Sequence, residues 1–399
     1  MKAPSFLSIP LFFLLACSAM GQQPSKPATP ALAPAKQPGA KPQSPSPAPN
    51  AQDEKAPPSV PELLAQGKSL YRAAKYKPAL AKFEEVLKQE PEHDEALGLA
   101  AVTAFRLDSQ SQSRDYFLRR AELPKQKDTV KSYSYYRAAL SHWRQVHDIV
   151  AKFCEPIENR FVAKIPDRHE LDVKYGIENG LEYADRALRI TKNYAEAYNV
   201  INLLHSEAAM VAADEKTAEE HNRKAASALR RAIELSKPAA LSTSKDNADF
   251  NAPTIRIAEY ATRKEDEGKT ADPMVKLIEG GKPIKRVQPG FPSIRAPKGA
   301  DPNDPGVSGV TADGGAYSLG AGRGALTAAY APGKVKVEVL VAADGSVAFT
   351  RIVDGRSDLR GAAILAARSW KFDPAKLDGK PVQVSGVITF NMRPPASRQ

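Results

Sequence analysis

"SWKFDPAKLDGKPVQVSGVITF", from Ser369 to Phe390, decides how this chain is built at its end. The cluster Trp370-Lys371-Phe372 leads to Pro374 and an Asp378-Gly379 turn, and then to a long run that reads as a strand. Val382, Val384, Ile388 and Phe390 fall on one side of it, and Gln383, Ser385, Thr389 and Asn391 on the other, a period of two. Little chain follows to cover the strand's free edge, so that edge is expected to lie open.

Just upstream, "KVKVEVLVAADGSVAFTRIV" (Lys334 to Val353) has Val335, Val337, Val339 and Val341 alternating with Lys334, Lys336 and Glu338, which predicts a half-buried strand. Asp344-Gly345 supplies the φ > 0 positions of a tight hairpin, and Val347 and Phe349 lie on the return strand. Ser357 or Asp358 caps a predicted helix through Trp370, with Leu359, Ala363, Ala366 and Trp370 on one face. The module is strand, strand, helix, strand.

The other end of the chain bounds where this module works. The 399 residues have room for two domains with linkers, and at 42% hydrophobic and 26% charged they read as globular, with 33 Pro unevenly placed. The apolar run from Phe6 to Ala16 is shorter than the roughly 20 residues a membrane-spanning helix needs, and small residues follow it, as in a secretory signal (1–22). Three fates stay open: cleavage after Gly21, lipidation of Cys17 in the lipobox-like Leu14-Leu15-Ala16-Cys17, or retention as an anchor. Residues 23–60 are Pro-rich with little to bury, an extended tether. The net charge of +11 suits an anionic surface, and the signal-like start argues against nucleic acid. Cys154 has no second cysteine to pair with once Cys17 is removed or lipidated, and is expected to be a small buried residue on a helix.

Between tether and module the period becomes helical. "LLAQGKSLYRAAKYKPALAKFEEVLKQEPEHDEAL" places Gly67, Ala79, Phe83 and Pro91 at offsets that resemble the tetratricopeptide repeat, a 34-residue helix hairpin. Ala101, Ser113 and Phe117 repeat the pattern one period on, with Pro124 one place early. "GLEYADRALRITKNYAEAYNVINLL" aligns Glu196-Ala197-Tyr198 with Glu95-Ala96-Leu97, and the stretch from Val130 to Phe161 reads as one long helix with Tyr133, Tyr136, Leu140 and Trp143 in its core. A last helix pair runs from Tyr194 to Ala213 and from Thr217 to Ser236. Such stacks are binding scaffolds. A surface position without a partner is expected for each His, and no metal or cofactor site is expected. A short helix is expected over Ile255 to Lys264, inside a linker of 239–281.

The terminal module resembles the C-terminal domain of TonB-family energy transducers. The likeness rests on Gln288-Pro289 with Phe291-Pro292 at its opening, the hairpin from Lys334 to Val353, the Trp370-Lys371-Phe372-Asp373-Pro374 signature and Gly379 to Val382 before the last strand. It implies that the last strand accepts an extended segment of a TonB-dependent outer-membrane receptor or similar envelope protein by strand addition. Gln288, Pro289 and Phe291 of the opening motif, with Val382, Gln383, Val384, Ser385, Gly386, Ile388 and Phe390, would then be the partner-binding residues. A Gly- and Pro-rich insertion at about 296–331, with Gly320, Gly322 and Gly324 expected in a flexible loop, departs from the family.

The expected fold is therefore α+β and multidomain: signal, Pro-rich tether, an all-α tetratricopeptide-like solenoid (61–238), and a small ββαβ TonB-like domain (282–393). The expected function is a non-catalytic adaptor in the periplasm or envelope of a diderm bacterium, with the repeats as a second protein-binding surface. The alternative is a membrane-anchored energy transducer for transport across the outer membrane. A polymer hydrolase finds no nucleophile, base and acid set to support it.

Overall fold

Two helix hairpins open the described chain at a fixed interval. The computed structural model describes residues 58–157, 160–236, 252–266, 272–291, 308–310, 316–318 and 332–394; the signal-like start, Cys17, the Pro-rich stretch, Gly320 to Gly324 and most of the insertion lie outside these. Helix α1 (Val60–Arg72) is followed by α2 (Tyr76–Gln89), and α3 (Asp94–Arg106) and α4 (Gln110–Ala121) begin 34 residues after them. The Ser59 backbone N–H donates to Glu62 Oε2 at 2.9 Å, half of a capping box that fixes where α1 starts. Gly67 lets the hairpin close, because a Cβ there would run into the Phe83 ring. Ala79, Phe83, Ala101, Ser113 and Phe117 are all fully buried, as the repeat pattern requires.

Helix α5 (Asp128–Phe153) starts 34 residues after α3 but is twice as long, and α6 (Asp167–Ile190), α7 (Ala195–Val211) and α8 (Glu215–Leu235) complete the stack. Tyr136, Leu140 and Trp143 are buried, as expected. The expected helix through Phe161 ends earlier. Strands β1 (Cys154–Ile157) and β2 (Arg160–Ala163) form an antiparallel hairpin there, with Pro156, which cannot donate within a helix, on its first arm. Cys154 is thus buried at a helix-to-strand junction, where burial pushes its thiol up to about 12.

The terminal module is a four-stranded sheet. Its strands are β3 (Thr254–Tyr260), β4 (Gly333–Val341), β5 (Val347–Gly355) and β6 (Gln383–Met392), in the order β3-β6-β4-β5. Helix α9 (Arg360–Arg368) covers one face, and Leu359, Ala363, Ala366 and Trp370 are buried against Val335, Val337 and Val339. Ala225, Leu229 and Ile233 of α8 join the same apolar cluster. Residues 57–399 form one compact unit, so repeats and sheet share their cores.

Three expectations are corrected. The helix expected from Ile255 is strand β3, whose Thr-Ile-Arg-Ile pattern is rich in β-branched residues and puts Ile255 and Ile257 on the side opposite Arg256. The half-buried strand β4 is buried on both faces, with Glu338 and Leu340 fully inaccessible, because α5 covers the side expected to meet water. The free edge of the last strand is absent. Strand β6 runs antiparallel to β4 on one side and parallel to β3 on the other, and Val382, Gln383, Val384, Ser385, Ile388 and Phe390 are all buried. The physical reason is that helices cover this sheet, and a strand edge buried beneath them must have its backbone groups paired.

Gly386 sits where β3 comes closest: a Cβ there would lie 2.7 Å from Ile257 Cγ1 and 2.8 Å from Tyr260 Cε2. We expect Gly386→Val to lose about 1–3 kcal/mol by forcing these side chains apart, read as a lower urea midpoint at unchanged m. A midpoint equal to wild type would show that β3 does not pack there.

Candidate partner-binding surfaces and the joint behind them

The face of β4 turned to α5 carries Lys334, Lys336, Glu338 and Leu340, and each meets α5 or the residues just after it, in antiparallel order. Lys334 Nζ pairs with Glu155 at 3.1 Å. Lys336 Nζ donates to the carbonyls of Lys152 and Cys154 at 3.0 and 2.7 Å, satisfying acceptors left over where α5 ends. Leu340 packs with Tyr136, Leu140 and Trp143.

Glu338 is the centre of a buried charge cluster. His147 of α5 has Nδ1 2.7 Å from Glu207 Oε1 of α7, and its Nε2 lies 3.0 Å from Glu338 Oε1, off the hydrogen-bonding line. Arg144 Nη1 approaches Glu338 at 3.4 Å, and Arg351 Nη2 of β5 bridges Glu338 at 2.9 Å and Asp148 at 2.6 Å. Arg256 of β3 completes the set, its Nε donating to Glu207 Oε1 at 3.2 Å. Burial opposes charge on Glu338, but Arg144 and His147 overcome it and hold the carboxyl well below its usual range. Burial likewise opposes charge on His147, and Glu338 and Glu207 reverse the balance, so the imidazole titrates above its ordinary value.

The expectation of surface histidines therefore fails for His147, which is fully buried, and for His142, which is buried against Tyr183. His205 and His221 face one another across α7 and α8, their Nδ1 atoms 3.0 Å apart. No periodicity marks the contacts of His147, since they join elements far apart in the chain. The available hint is Glu338, a carboxylate at a position flanked by Val337 and Val339 that needs a cation once both faces are covered.

The predicted partner-binding residues separate. Gln288 is exposed at the rim, with its Nε2 donating to the Thr262 carbonyl at 3.1 Å. Pro289 and Phe291 are half-buried, and the neighbouring Val287 carbonyl accepts from Trp370 Nε1 at 2.9 Å, so the opening motif braces the signature Trp. Val382 to Phe390 stand inside the sheet, away from solvent.

An accessible surface exists on the helices. A groove of about 940 Å³ opens between α4, α5 and α6, with His142, Gln145, Asn179 and Tyr183 among its walls. Leu171 and Tyr175, one helical turn apart on its α6 side, are 62% and 52% exposed and put two large side chains together at the rim of the groove.

These elements define a small sheet-and-helix module joined to helix hairpins of 34-residue period. Residues 328–393, which hold β4, β5, α9 and β6, match the family described as Gram-negative bacterial TonB protein C-terminal. Solved structures similar to part of the chain include TTC0263, a tetratricopeptide-repeat protein of Thermus thermophilus, at 19% identity over 47% of this chain and 80% of that one, with a TM-score of 0.32. A MamA protein gives 16% identity over 44% and 72%, with a TM-score of 0.30. MamA from Desulfovibrio magneticus RS-1 gives 16% over 43% and 76%, with a TM-score of 0.28. No curated protein sequence matches the chain. Among the described residues, no helix is long and apolar enough to cross a membrane.

The two kinds of charge in the joint give opposite pH dependences. His147, raised in the fold, contributes stability that is full below about pH 6.5, its ordinary value, and is lost as pH rises through the raised one. Glu207 and Glu338, lowered in the fold, contribute above their ordinary value of 4.5 and lose that as pH falls through the lowered ones. We expect His147→Gln to be less stable than wild type by about 3 kcal/mol at pH 6, the scale of a broken buried pair, with the gap narrowing towards pH 9 in urea titrations. A gap constant across that range would mean that His147 is not charged in the fold.

Proposed function

We propose that this chain is a non-catalytic protein-binding protein of the bacterial envelope, whose helical repeats engage a partner protein while the TonB-like sheet holds them in one rigid body. The observation that carries this is the open groove on α4, α5 and α6 with Leu171 and Tyr175 exposed at its side. Apolar side chains held in water on a rigid helical wall are what a protein partner covers. The amide groups of Gln145 and Asn179 in the same walls suit the backbone of an extended segment. The match to the TonB C-terminal family and the 34-residue helical period support a binding role, since both are built for protein contacts and not for turnover. The signal-like start and the Pro-rich stretch support an exported location, with lipid on Cys17 or a retained anchor as the means of membrane attachment. The partner is an envelope protein, of the outer-membrane receptor type or similar.

A photo-crosslinking side chain placed at Tyr175 in native cells should give one dominant adduct with an envelope protein, and Leu171→Asp should abolish it. The same probe at Leu365 on α9, which is 55% exposed, should give none. Adducts from position 365 and none from 175 would contradict the assignment.

A further inference from the structure

We infer that β3 is the resident ligand of the strand-accepting edge of the TonB-like sheet, so that strand addition operates here within the chain and the edge is closed to segments from outside. Strand β3 comes from beyond the family-matched residues 328–393, yet it lies along the last strand in parallel register, Thr254 beside Gln383 and Ile255 beside Val384, with a register shift between Ser385 and Val387. It is an extended segment added to an edge, and its side chains are read on both faces. Ile255 and Ile257 enter the apolar cluster with Val335 and Val384, and Tyr260 packs on Phe372 with ring centroids 4.7 Å apart. On the other face Arg256 is fully buried against Glu207.

The outer side of β3 is sealed as well. The Thr254 N–H donates to Asn199 Oδ1 at 3.0 Å, Asn202 Nδ2 donates to the Thr254 carbonyl at 2.7 Å, and the Ala258 N–H donates to Asp272 Oδ2 at 2.7 Å. Side chains of α7, with Asp272 beyond the strand, thus take the place of a further strand. An incoming segment would have to displace β3 and also satisfy Glu207, Asn199 and Asn202, each of which is fully buried and costly to leave without a partner. Selectivity follows from that difference: a segment without Arg between two β-branched residues cannot replace Thr-Ile-Arg-Ile. This inference is independent of the helical groove proposed above.

The test uses the full chain, a fluorescent peptide of residues 252–262, and a variant in which Ile255→Asp and Ile257→Asp expel β3. Wild type should leave the peptide unbound at 100 times the concentration that saturates the variant. In the variant, the β6 amides facing β3 should lose hydrogen-exchange protection and regain it with peptide, and a peptide carrying Arg256→Ala should bind at least tenfold more weakly. Wild type binding the peptide as tightly as the variant, or β6 amides protected in the variant without peptide, would overturn the inference. If the variant does not fold, wild-type exchange decides alone. The β6 amides facing β3 should open only with global unfolding, at the same apparent stability as β4, and a separate, easier opening would overturn the inference.

Discussion

Everything in this molecule depends on β4 lying along α5. The strand places Lys334, Lys336, Glu338 and Leu340 along α5 and the residues just after it, and the lengths agree: a strand advances about 3.3 Å per residue and a helix about 1.5 Å, so the six steps from Lys334 to Leu340 cover about as much length as thirteen helical residues, the run from Leu140 to the end of α5. At the middle of this seam Glu338 is shared by His147, Arg144 and Arg351. Buried charges of this kind do not add stability over a well-packed apolar seam, but they penalise every arrangement that leaves one of them unpaired. They therefore fix the register of sheet on helix more than they strengthen it.

Strand β3 follows from that constraint. Once α5 and α7 cover the sheet, its edge at β6 is out of reach of water and its backbone groups need partners. The segment between α8 and the family-matched region supplies them. Because Arg256 on that segment also reaches Glu207, the joint and the added strand form one charged network linking α5, α7, β3, β4 and β5. The side of β6 away from β4 is thus filled by the chain's own strand β3. On the helical half, Leu171 and Tyr175 face solvent.

Much of this was legible in the residues, and the limits have physical causes. The small and aromatic positions Gly67, Ala79 and Phe83 mark the first hairpin because two helices can touch only where side chains permit it. The alternation in β4 and β6 and the Ala-rich face of α9 give the terminal module for similar local reasons. What periodicity cannot carry is which second surface covers a strand's polar side. Lys336, Glu338, Gln383 and Ser385 read as solvent-facing because they are polar, whereas each is buried beneath helices. The seven residues of β3 stood in polar, broken sequence, and their pairing depends on β6, more than 120 residues downstream.

Repeats and sheet that share cores should unfold as one cooperative body, and the protein's two tryptophans allow a direct test because Trp143 lies in α5 and Trp370 beside the sheet. Two full-length variants, one retaining Trp143 and carrying Trp370→Phe, the other the reverse, would be unfolded in urea with fluorescence and with far-ultraviolet circular dichroism. Within each variant the tryptophan signal and the circular dichroism should share one midpoint and one slope. A tryptophan transition that separates from the circular dichroism in either variant would mean that the two halves unfold independently, and would contradict that cooperativity.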